Sequence, residues 1–302
     1  MAAKRYSADA HWTTDQRGDK ITLVLLHGLG QHKEQWEPIV GRLFDSAAGP
    51  HIQEAWSFDW QSHGESAVLN VDSDALRRGP ESITVADWAD ALIDFIKSDA
   101  VAGHRRFIGV GYSSGVLALI TAFIHLPPSL SSSLIFVEPT LLDADIWAEH
   151  PEINETFELS TKGTTFRKNV WKNRQEAYAY IKQRPPWKGF DDAVLRLYVE
   201  HGMHRSPIDG TVTRSCPTAH EARGFQVNSP YVVEGAIRLA EVSQRLPVHA
   251  IFGEHKSSLT PSRSGLCDGY VPRSKDSIAD RRSRRRTLGD ARETLGRCGC
   301  YG

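Results

Sequence analysis

Residues 107–120 read Phe-Ile-Gly-Val-Gly-Tyr-Ser-Ser-Gly-Val-Leu-Ala-Leu-Ile. The first six predict a short buried strand, and the apolar run after Ser114 predicts a helix. Between them, Gly111-Tyr112-Ser113-Ser114-Gly115 matches the pattern G-x-S-x-G. Between a strand and a helix, this pattern is typical of a nucleophile elbow, a tight turn that exposes the central serine. We therefore predict that Ser113 is a nucleophile and that Ser114 lies one residue beyond the exposed position.

Short apolar segments alternate with helical segments along most of the chain. The predicted strands are residues 21–27, 55–59, 107–112, 134–138 and 248–252. Helices are predicted between them, and one of these, residues 85–96, begins after a capping Thr84 with Asp87 three residues on. Because strands that alternate with helices form parallel sheets through right-handed crossovers, the expected fold class is α/β with a mostly parallel sheet.

The chain divides into a core, an insertion and a tail. Residues 1–140 and 227–260 are the two parts of the expected core. Residues 141–226 are polar and largely helical, with the clearest helices at 171–183 and 191–201, and we interpret them as a lid. Residues 261–302 are basic and expected to be disordered, which makes the C-terminal end of the fold atypical or incomplete.

Composition excludes several classes of protein. The chain has 302 residues, of which 40% are hydrophobic and 24% charged, values that exclude collagen, coiled coil and disorder throughout. A net charge of −1 gives no bulk attraction to nucleic acid. The longest apolar run, residues 116–126, is shorter than the roughly 20 residues of a membrane span. We expect an intracellular protein without a transmembrane segment, a nucleic-acid partner or a disulfide framework.

The tail differs in composition from the rest of the chain. Residues 273–302 hold nine Arg and Lys against four Asp and Glu, with a run of arginines at 281–286. We expect this run to be solvated, with a nuclear signal or nucleic-acid patch as the alternative. Cys267, Cys298 and Cys300 lack the regular spacing of a metal site, so neither metal nor cofactor is expected. We interpret the tail as a replaced C-terminus, the product of a frameshift, a retained intron or a mis-annotated exon.

A second glycine-rich turn follows the first predicted strand. His27-Gly28-Leu29-Gly30 lies where that strand ends. The backbone N–H groups of Leu29 and Ser114 are expected to form an oxyanion hole for the charge that develops in acyl transfer. His27 is expected to be a hydrogen-bonded structural residue. The alternative is that the glycines serve only to reverse the chain.

Three features of the sequence together resemble the α/β-hydrolase superfamily over about residues 21–254. They are the turn His27–Gly30, the strand ending at Asp59 with the turn 62–66 (Ser-His-Gly-Glu-Ser), and the elbow Gly111–Gly115. Residues 137–139 and 176–187 resemble fungal members, namely peroxisomal-lipase-like hydrolases and those of Alternaria-type host-selective toxin clusters. The resemblance implies the α/β-hydrolase fold with the lid inserted after its sixth strand. It also implies a serine esterase, lipase or thioesterase in fungal toxin biosynthesis, a pathway of secondary metabolism linked to virulence.

The resemblance implies a Ser–acid–His triad. Glu138 is the expected acid and Glu254 the alternative. No histidine occurs in residues 256–302, so the expected base is His255, whose loop would have to fold back over Ser113. The other candidate bases are His32, His63, His201 and His204.

Two functions from different classes follow. The first is hydrolysis of a small-molecule apolar acyl ester or thioester. Trp147, Trp171 and Trp187 of the lid are suited to the acyl chain, although packing in the core is their default role. The second is a catalytically impaired hydrolase-fold binding protein that lacks the triad histidine, because a serine without a base is a weak nucleophile. A peroxisomal location follows from the resemblance only, since the chain ends Cys-Tyr-Gly rather than Ser-Lys-Leu, and the other expected location is cytoplasmic.

Overall fold

The computed structural model describes residues 1–7, 20–141, 148, 151–226 and 230–253, with the backbone alone at 230–233. Glu254, His255, Trp147 and the basic tail lie outside the described residues.

A parallel sheet forms the centre of the described chain. The strands are β1 Ala3–Tyr6, β2 Ile21–Leu26, β3 Ile52–Phe58, β4 Phe107–Tyr112, β5 Ser131–Val137, β6 Val170–Trp171, β7 Met203–Arg205, β8 Val212–Arg214 and β9 Val248–Ile251. Six of them form the central sheet in the order β1-β3-β2-β4-β5-β9. All neighbours in it run parallel except β1, which pairs antiparallel with β3. The predicted α/β class with a mostly parallel sheet is confirmed.

Helices cover this sheet and fill the segment between β5 and β9. They are α1 Glu37–Phe44, α2 Gly64–Leu69, α3 Asp74–Arg77, α4 Val85–Lys97, α5 Gly115–Phe123, α6 Pro151–Phe166, α7 Arg174–Ile181, α8 Asp192–His201, α9 Thr218–Gly224 and α10 Pro230–Ser243. The predicted start of α4 is confirmed, because the Thr84 side chain accepts from the Asp87 amide and Asp87 closes the capping box.

Strand β2 is buried on both faces, which explains why it is apolar without alternation. Val24 and Leu26 lie in the cluster that α4 and α5 cover. Leu23 and Leu25 point to the opposite face and pack in a second cluster with Val40 of α1. The core therefore fixes β2 between two helical layers, with its carboxyl end free to carry a loop.

The carboxyl ends of three parallel strands meet at one edge of the sheet. Leu26 at the end of β2 pairs with Gly111 of β4. Tyr112 at the end of β4 pairs with Val137 of β5. The register therefore places the turn after each of these strands side by side, as the topology of an open parallel sheet requires for a ligand site.

The segment between β5 and β9 contains the helices predicted for the lid and a small sheet that the sequence did not predict. Strands β6, β8 and β7 form this antiparallel sheet. Strands of two or three residues are too short to show the period-2 alternation that identifies a strand. The segment has an apolar cluster of its own, formed by Trp171, Ala177, Ile181, Leu195, Tyr198, Val199, Met203 and Val212.

Two further differences concern the edge of the central sheet. Strand β1 was not predicted, because Lys4 and Arg5 interrupt its apolar pattern. Strand β3 begins three residues earlier than predicted, since Gln53 and Glu54 are buried there through hydrogen bonds to His104 and Arg5.

Within the described ranges, no helix combines the length and the apolar character that crossing a bilayer requires.

The packing of α5 on β4 gives a stability prediction. Leu119 is fully buried, and a Cβ built at Gly109 or Gly111 would lie 2.9 Å from one of its methyl groups. We expect Leu119→Ala to lower the free energy of unfolding by about 2–5 kcal/mol in denaturant titrations. Leu159→Ala is the control, because that side chain is 68% exposed, and it should change stability by less than about 0.5 kcal/mol. Equal effects of the two substitutions would contradict the packing described.

Candidate functional site

Ser113 occupies the sharp turn between β4 and α5. Its φ of 50° lies in the left-handed region, where a residue other than glycine is uncommon. The Ser113 amide donates to the Val137 carbonyl at 3.0 Å, and the Ser113 carbonyl accepts from the Val116 amide at 3.1 Å. These bonds hold the strained conformation, and the side chain is half-buried rather than enclosed in the core.

The two glycines of the motif are required by close approaches of backbone. A Cβ at Gly111 would lie 2.8 Å from the amide nitrogen of Val116, and a Cβ at Gly115 would lie 2.6 Å from the carbonyl oxygen of Leu26. Neither backbone atom can move without breaking the turn or β2. The pattern G-x-S-x-G therefore reflects packing around Ser113.

The turn after β2, residues 28–31, contacts the elbow directly, and we call it the glycine turn. The Gln31 amide donates to the Gly28 carbonyl at 3.1 Å. A Cβ at Gly28 would lie 2.6 Å from a ring carbon of Tyr112 and 3.4 Å from the Cβ of Ser113. Only a glycine at position 28 allows the turn to approach Ser113 this closely.

Two backbone amides near Ser113 have no acceptor in the part of the chain that the structure describes. Within the described residues, neither the Leu29 amide nor the Ser114 amide donates a hydrogen bond. Backbone N–H groups in folded proteins are nearly always paired, so two free ones beside a strained serine are donors available to a ligand oxygen. Their assignment as an oxyanion hole stays a prediction.

Strand β5 ends in a second strained residue. Glu138 has a φ of 45°, its amide donates to the Ile251 carbonyl at 2.9 Å, and its carboxylate accepts from the Gly253 amide. Two residues further on, the Thr140 hydroxyl lies 3.3 Å from the Ser113 hydroxyl. Sequence analysis missed Thr140, although its place just after a strand end was a signal. The structure thus brings Glu138 to the end of β9 and Thr140 to Ser113.

The expected base, His255, and the alternative acid, Glu254, lie outside the described residues. In the sequence, His255 follows by two residues the Gly253 whose amide binds Glu138.

Tyr112 lies beneath the glycine turn, with its ring against Gly28. Burial raises the pKa of Tyr112, the nearby charge of Glu138 adds to that rise, and a side-chain hydrogen bond with Gln31 opposes it. The phenol is therefore neutral at ordinary pH. The Tyr112 side chain thus contacts both ends of the glycine turn, Gly28 and Gln31.

His27 has both ring nitrogens occupied in the core. Its Nε2 accepts from the Trp60 amide at 3.1 Å, so the proton resides on Nδ1, which donates to the Gly28 carbonyl at 2.7 Å. Burial lowers the pKa of His27 to about 3. A neutral imidazole bonded at both nitrogens shapes the glycine turn and has no free nitrogen with which to act as a base.

The other candidate bases are four histidines, of which His32 and His201 are neighbours with ring centroids 6.1 Å apart. His63 is fully buried, hydrogen-bonds Ser62 at 3.0 Å, and has a pKa far below its ordinary value because of burial. His32 is also buried and bonds Glu34 at 2.9 Å. His201 ends α8 and His204 lies in β7. Among the described residues, no histidine hydrogen-bonds Ser113.

A buried ionic cluster fixes the turn after β3. Asp59 is fully buried and accepts from the Lys33 amide at 2.8 Å, the Lys33 ammonium at 3.1 Å and the Glu65 amide at 2.9 Å. Burial alone would lower the pKa of Lys33, but the charges of Asp59 and Glu34 outweigh it and raise that pKa. These hydrogen bonds and ion pairs give the motif at residues 59–66 a structural role.

The described part of the chain contains no group of three or more His, Cys, Asp or Glu side chains that could hold a metal ion. Cys216 is buried, and burial raises the pKa of its thiol well above the ordinary value. Cys267, Cys298 and Cys300 lie outside the described residues.

The low pKa of His27 predicts a pH dependence of stability. Below pH 6.5 the unfolded chain takes up a proton on this residue that the folded chain excludes down to about pH 3. The free energy of unfolding should therefore fall as the pH drops through this window, by at most about 1.4 kcal/mol per pH unit for this group.

We expect the free energy of unfolding of His27→Asn to fall less steeply with decreasing pH than that of the wild type, in denaturant titrations between pH 6.5 and 4. His63 contributes in the same direction in both proteins. The control is His249→Asn in β9, where the side chain is exposed, and it should keep the wild-type slope. A His27→Asn slope equal to that of the wild type would disprove the burial of a neutral His27.

Comparison with curated proteins finds fungal relatives. The type I acyl-CoA thioesterase mpaH of Penicillium brevicompactum is 28% identical over 191 residues, which are 63% of this chain and 41% of that protein. The peroxisomal membrane protein LPX1 of Saccharomyces cerevisiae is 27% identical over 145 residues, 45% of this chain and 35% of that protein. The chain spans about two fifths of the length of the curated relatives it matches.

Solved structures share the fold. The peroxisomal α/β-hydrolase Lpx1 of Saccharomyces cerevisiae superposes with a TM-score of 0.61 at 16% identity, covering 97% of this chain and 90% of that one. The thioesterase domain from the curacin biosynthetic pathway gives 0.57 at 14% identity, covering 88% and 83%. The sequence model of the Alpha/beta hydrolase family matches residues 23–253, well over half of the chain. The chain therefore belongs to the alpha/beta hydrolase family.

Proposed function

We propose that this chain is a serine hydrolase that cleaves the thioester or ester of an apolar acyl group. The observation that carries the proposal is the strained turn at Ser113, which lies against the glycine turn, with two neighbouring amides that have no acceptor among the described residues. A left-handed serine is costly, and such strain is typical of functional sites. A purely structural turn would be more stable with a glycine at this position.

Ser113 is the nucleophile in this mechanism. Its hydroxyl oxygen attacks the acyl carbonyl carbon as a base removes the hydroxyl proton. The Leu29 and Ser114 amides donate to the oxyanion of the tetrahedral intermediate. The intermediate expels a thiol or alcohol, which takes the proton from the base. Water then hydrolyses the acyl–serine ester by the same steps.

Glu138 and His255 are the proposed acid and base. The Glu138 carboxylate binds the amide of Gly253, two residues before His255 in the sequence. An acid in this place supports a histidine in the loop after β9, because a carboxylate that accepts from imidazole fixes its tautomer and stabilises its charged form. Thr140, whose hydroxyl is 3.3 Å from that of Ser113, orients the nucleophile in the resting site.

The preferred substrate class within this proposal is a thioester. The support comes from two similar proteins that are thioesterases, mpaH and the curacin thioesterase domain. The segment between β5 and β9 adds aromatic surface for an acyl chain, since Trp187 and Phe190 pack only partly buried on its apolar cluster.

The likeness to fungal proteins supports proposals for pathway and compartment. The mpaH relative is fungal, and the yeast relative is named as peroxisomal. We accordingly propose that the chain acts in fungal secondary metabolism, with toxin biosynthesis as the specific pathway and the peroxisome as its compartment.

A binding protein with little turnover is the second candidate. The observation that favours it is the surroundings of the Ser113 hydroxyl, which among the described residues contacts Thr140 and no histidine. Such a protein would hold an acyl thioester at the same site without attacking it, because the hydroxyl would remain protonated.

The two candidates are separated by labelling and turnover. We expect a fluorophosphonate probe to label the full chain at Ser113, and octanoyl-CoA or palmitoyl-CoA to release free CoA detectable with a thiol reagent. Ser113→Ala should abolish labelling and lower turnover by about 10³-fold or more. Ser46→Ala removes an exposed hydroxyl in another turn and should leave both unchanged.

Labelling that persists in Ser113→Ala would show that another residue is the nucleophile. A folded wild-type chain that binds acyl-CoA in calorimetry but is neither labelled nor active would favour the binding protein over the enzyme.

A further inference from the structure

Helix α9 of the lid packs directly on the glycine turn. Glu221 and Gly224 are three residues apart and share one face of the helix. Gly30 has a φ of 72°, and a Cβ built there would lie 2.6 Å from the carboxyl carbon of Glu221. A Cβ at Gly224 would lie 2.5 Å from a methyl carbon of Leu29. Two consecutive residues of the glycine turn are thus held by the same helix.

Glu221 is held in turn by Arg167, the residue that follows α6. Both terminal nitrogens of Arg167 donate to the two carboxylate oxygens of Glu221, one of them at 2.8 Å. The side chains are 15% and 5% exposed, so the ion pair is shielded from water. Burial would lower the pKa of Arg167, but the charge of Glu221 outweighs it and raises that pKa.

Arg167 supplies the positive charge that faces this carboxylate. The other ionisable groups of this cluster in the described chain are the Tyr198 phenol and the Cys216 thiol, both neutral because burial raises their pKa values, and the buried Arg214 guanidinium. Arg214 hydrogen-bonds the Tyr198 hydroxyl and lies over the Trp187 ring, whereas Glu221 pairs with Arg167. Arg223 of the same helix pairs with Glu81 instead, at 2.6 Å. Removing Arg167 would remove the cation that pairs with Glu221.

A lone carboxylate here would oppose the proposed chemistry. Glu221 touches Gly30, next to the Leu29 amide that is proposed to hold the oxyanion. Two negative charges in a site shielded from water repel strongly, and more so as charge develops in the transition state. A neutralised Glu221 avoids this repulsion while it still supports the turn.

We propose that Glu221 and Arg167 are positioning residues for acyl transfer: Glu221 supports the glycine turn and Arg167 cancels its charge. The inference rests on the proposed function and extends it, because it makes the oxyanion hole depend on the docked lid. Neither side chain touches the reacting atoms in this account.

The test measures the rate of Ser113 labelling by a fluorophosphonate, with kcat and KM for octanoyl-CoA, in four variants of the full chain. Arg167→Met keeps the side-chain length and removes the charge. It should slow labelling and lower kcat roughly 10- to 100-fold, up to the loss expected for one oxyanion donor, with a smaller effect on KM. Arg167→Met/Glu221→Gln removes both charges and should recover most of that loss.

Lys168→Met is the matched control. Lys168 is the next residue, and it forms an exposed ion pair with Glu176 at 2.7 Å. Its substitution removes a cation from the same segment without exposing a carboxylate to the glycine turn, so labelling should remain at the wild-type rate. Arg167→Lys keeps the charge, should retain most of the rate, and serves as the test if Arg167→Met does not fold in denaturant titrations.

The recovery in the double variant separates positioning by charge from simple lid docking. If the ion pair only anchored the lid, the double variant would be as slow as Arg167→Met, and this result would overturn the inference. Labelling of Arg167→Met at the wild-type rate would also overturn it. So would labelling of Arg167→Lys as slow as that predicted for Arg167→Met, because the lysine keeps the positive charge. A wild-type chain that is not labelled at Ser113 overturns the proposed function and this inference together, whereas the other outcomes leave the proposed function standing.

Discussion

The reversal of the chain at Ser113 is the constraint on which the rest of the site depends. The backbone leaves β4, adopts a left-handed conformation at one non-glycine residue, and enters α5 at once. Two hydrogen bonds and the absence of side chains at Gly111 and Gly115 make this geometry possible. The strain persists because both flanking elements lie in the core, so that relaxing the turn would displace buried apolar surface.

The parallel sheet converts this local turn into a site. Since β2, β4 and β5 run in one direction and pair in register, their carboxyl ends bring the glycine turn, Ser113 and Glu138 to one edge. The polar groups there come from the backbone as much as from side chains, with two amides that have no acceptor within the described ranges and two strained residues. The segment between β5 and β9 also reaches this edge, where α9 contacts the glycine turn through Glu221 and Gly224.

Structural features that depend on residues close together in the sequence were predicted well. The elbow, the cap at Thr84 and the buried strands depend on neighbouring residues, so a short window contains their signal. Pairings across long sequence separations could not be predicted this way. Examples are strand β1 on β3, the small sheet of the lid, and the contact of Thr140 with Ser113. The base also stays a prediction, because His255 lies outside the described residues.

The most direct test of the central claim is a crystal structure of the full chain after reaction with a small alkyl fluorophosphonate. The account predicts a covalent bond from the Ser113 oxygen to phosphorus, with the phosphoryl oxygen about 2.7–3.1 Å from both the Leu29 and Ser114 amide nitrogens. A phosphoryl oxygen directed to solvent, or an adduct on any other side chain, would contradict the assignment of this turn to acyl-transfer chemistry.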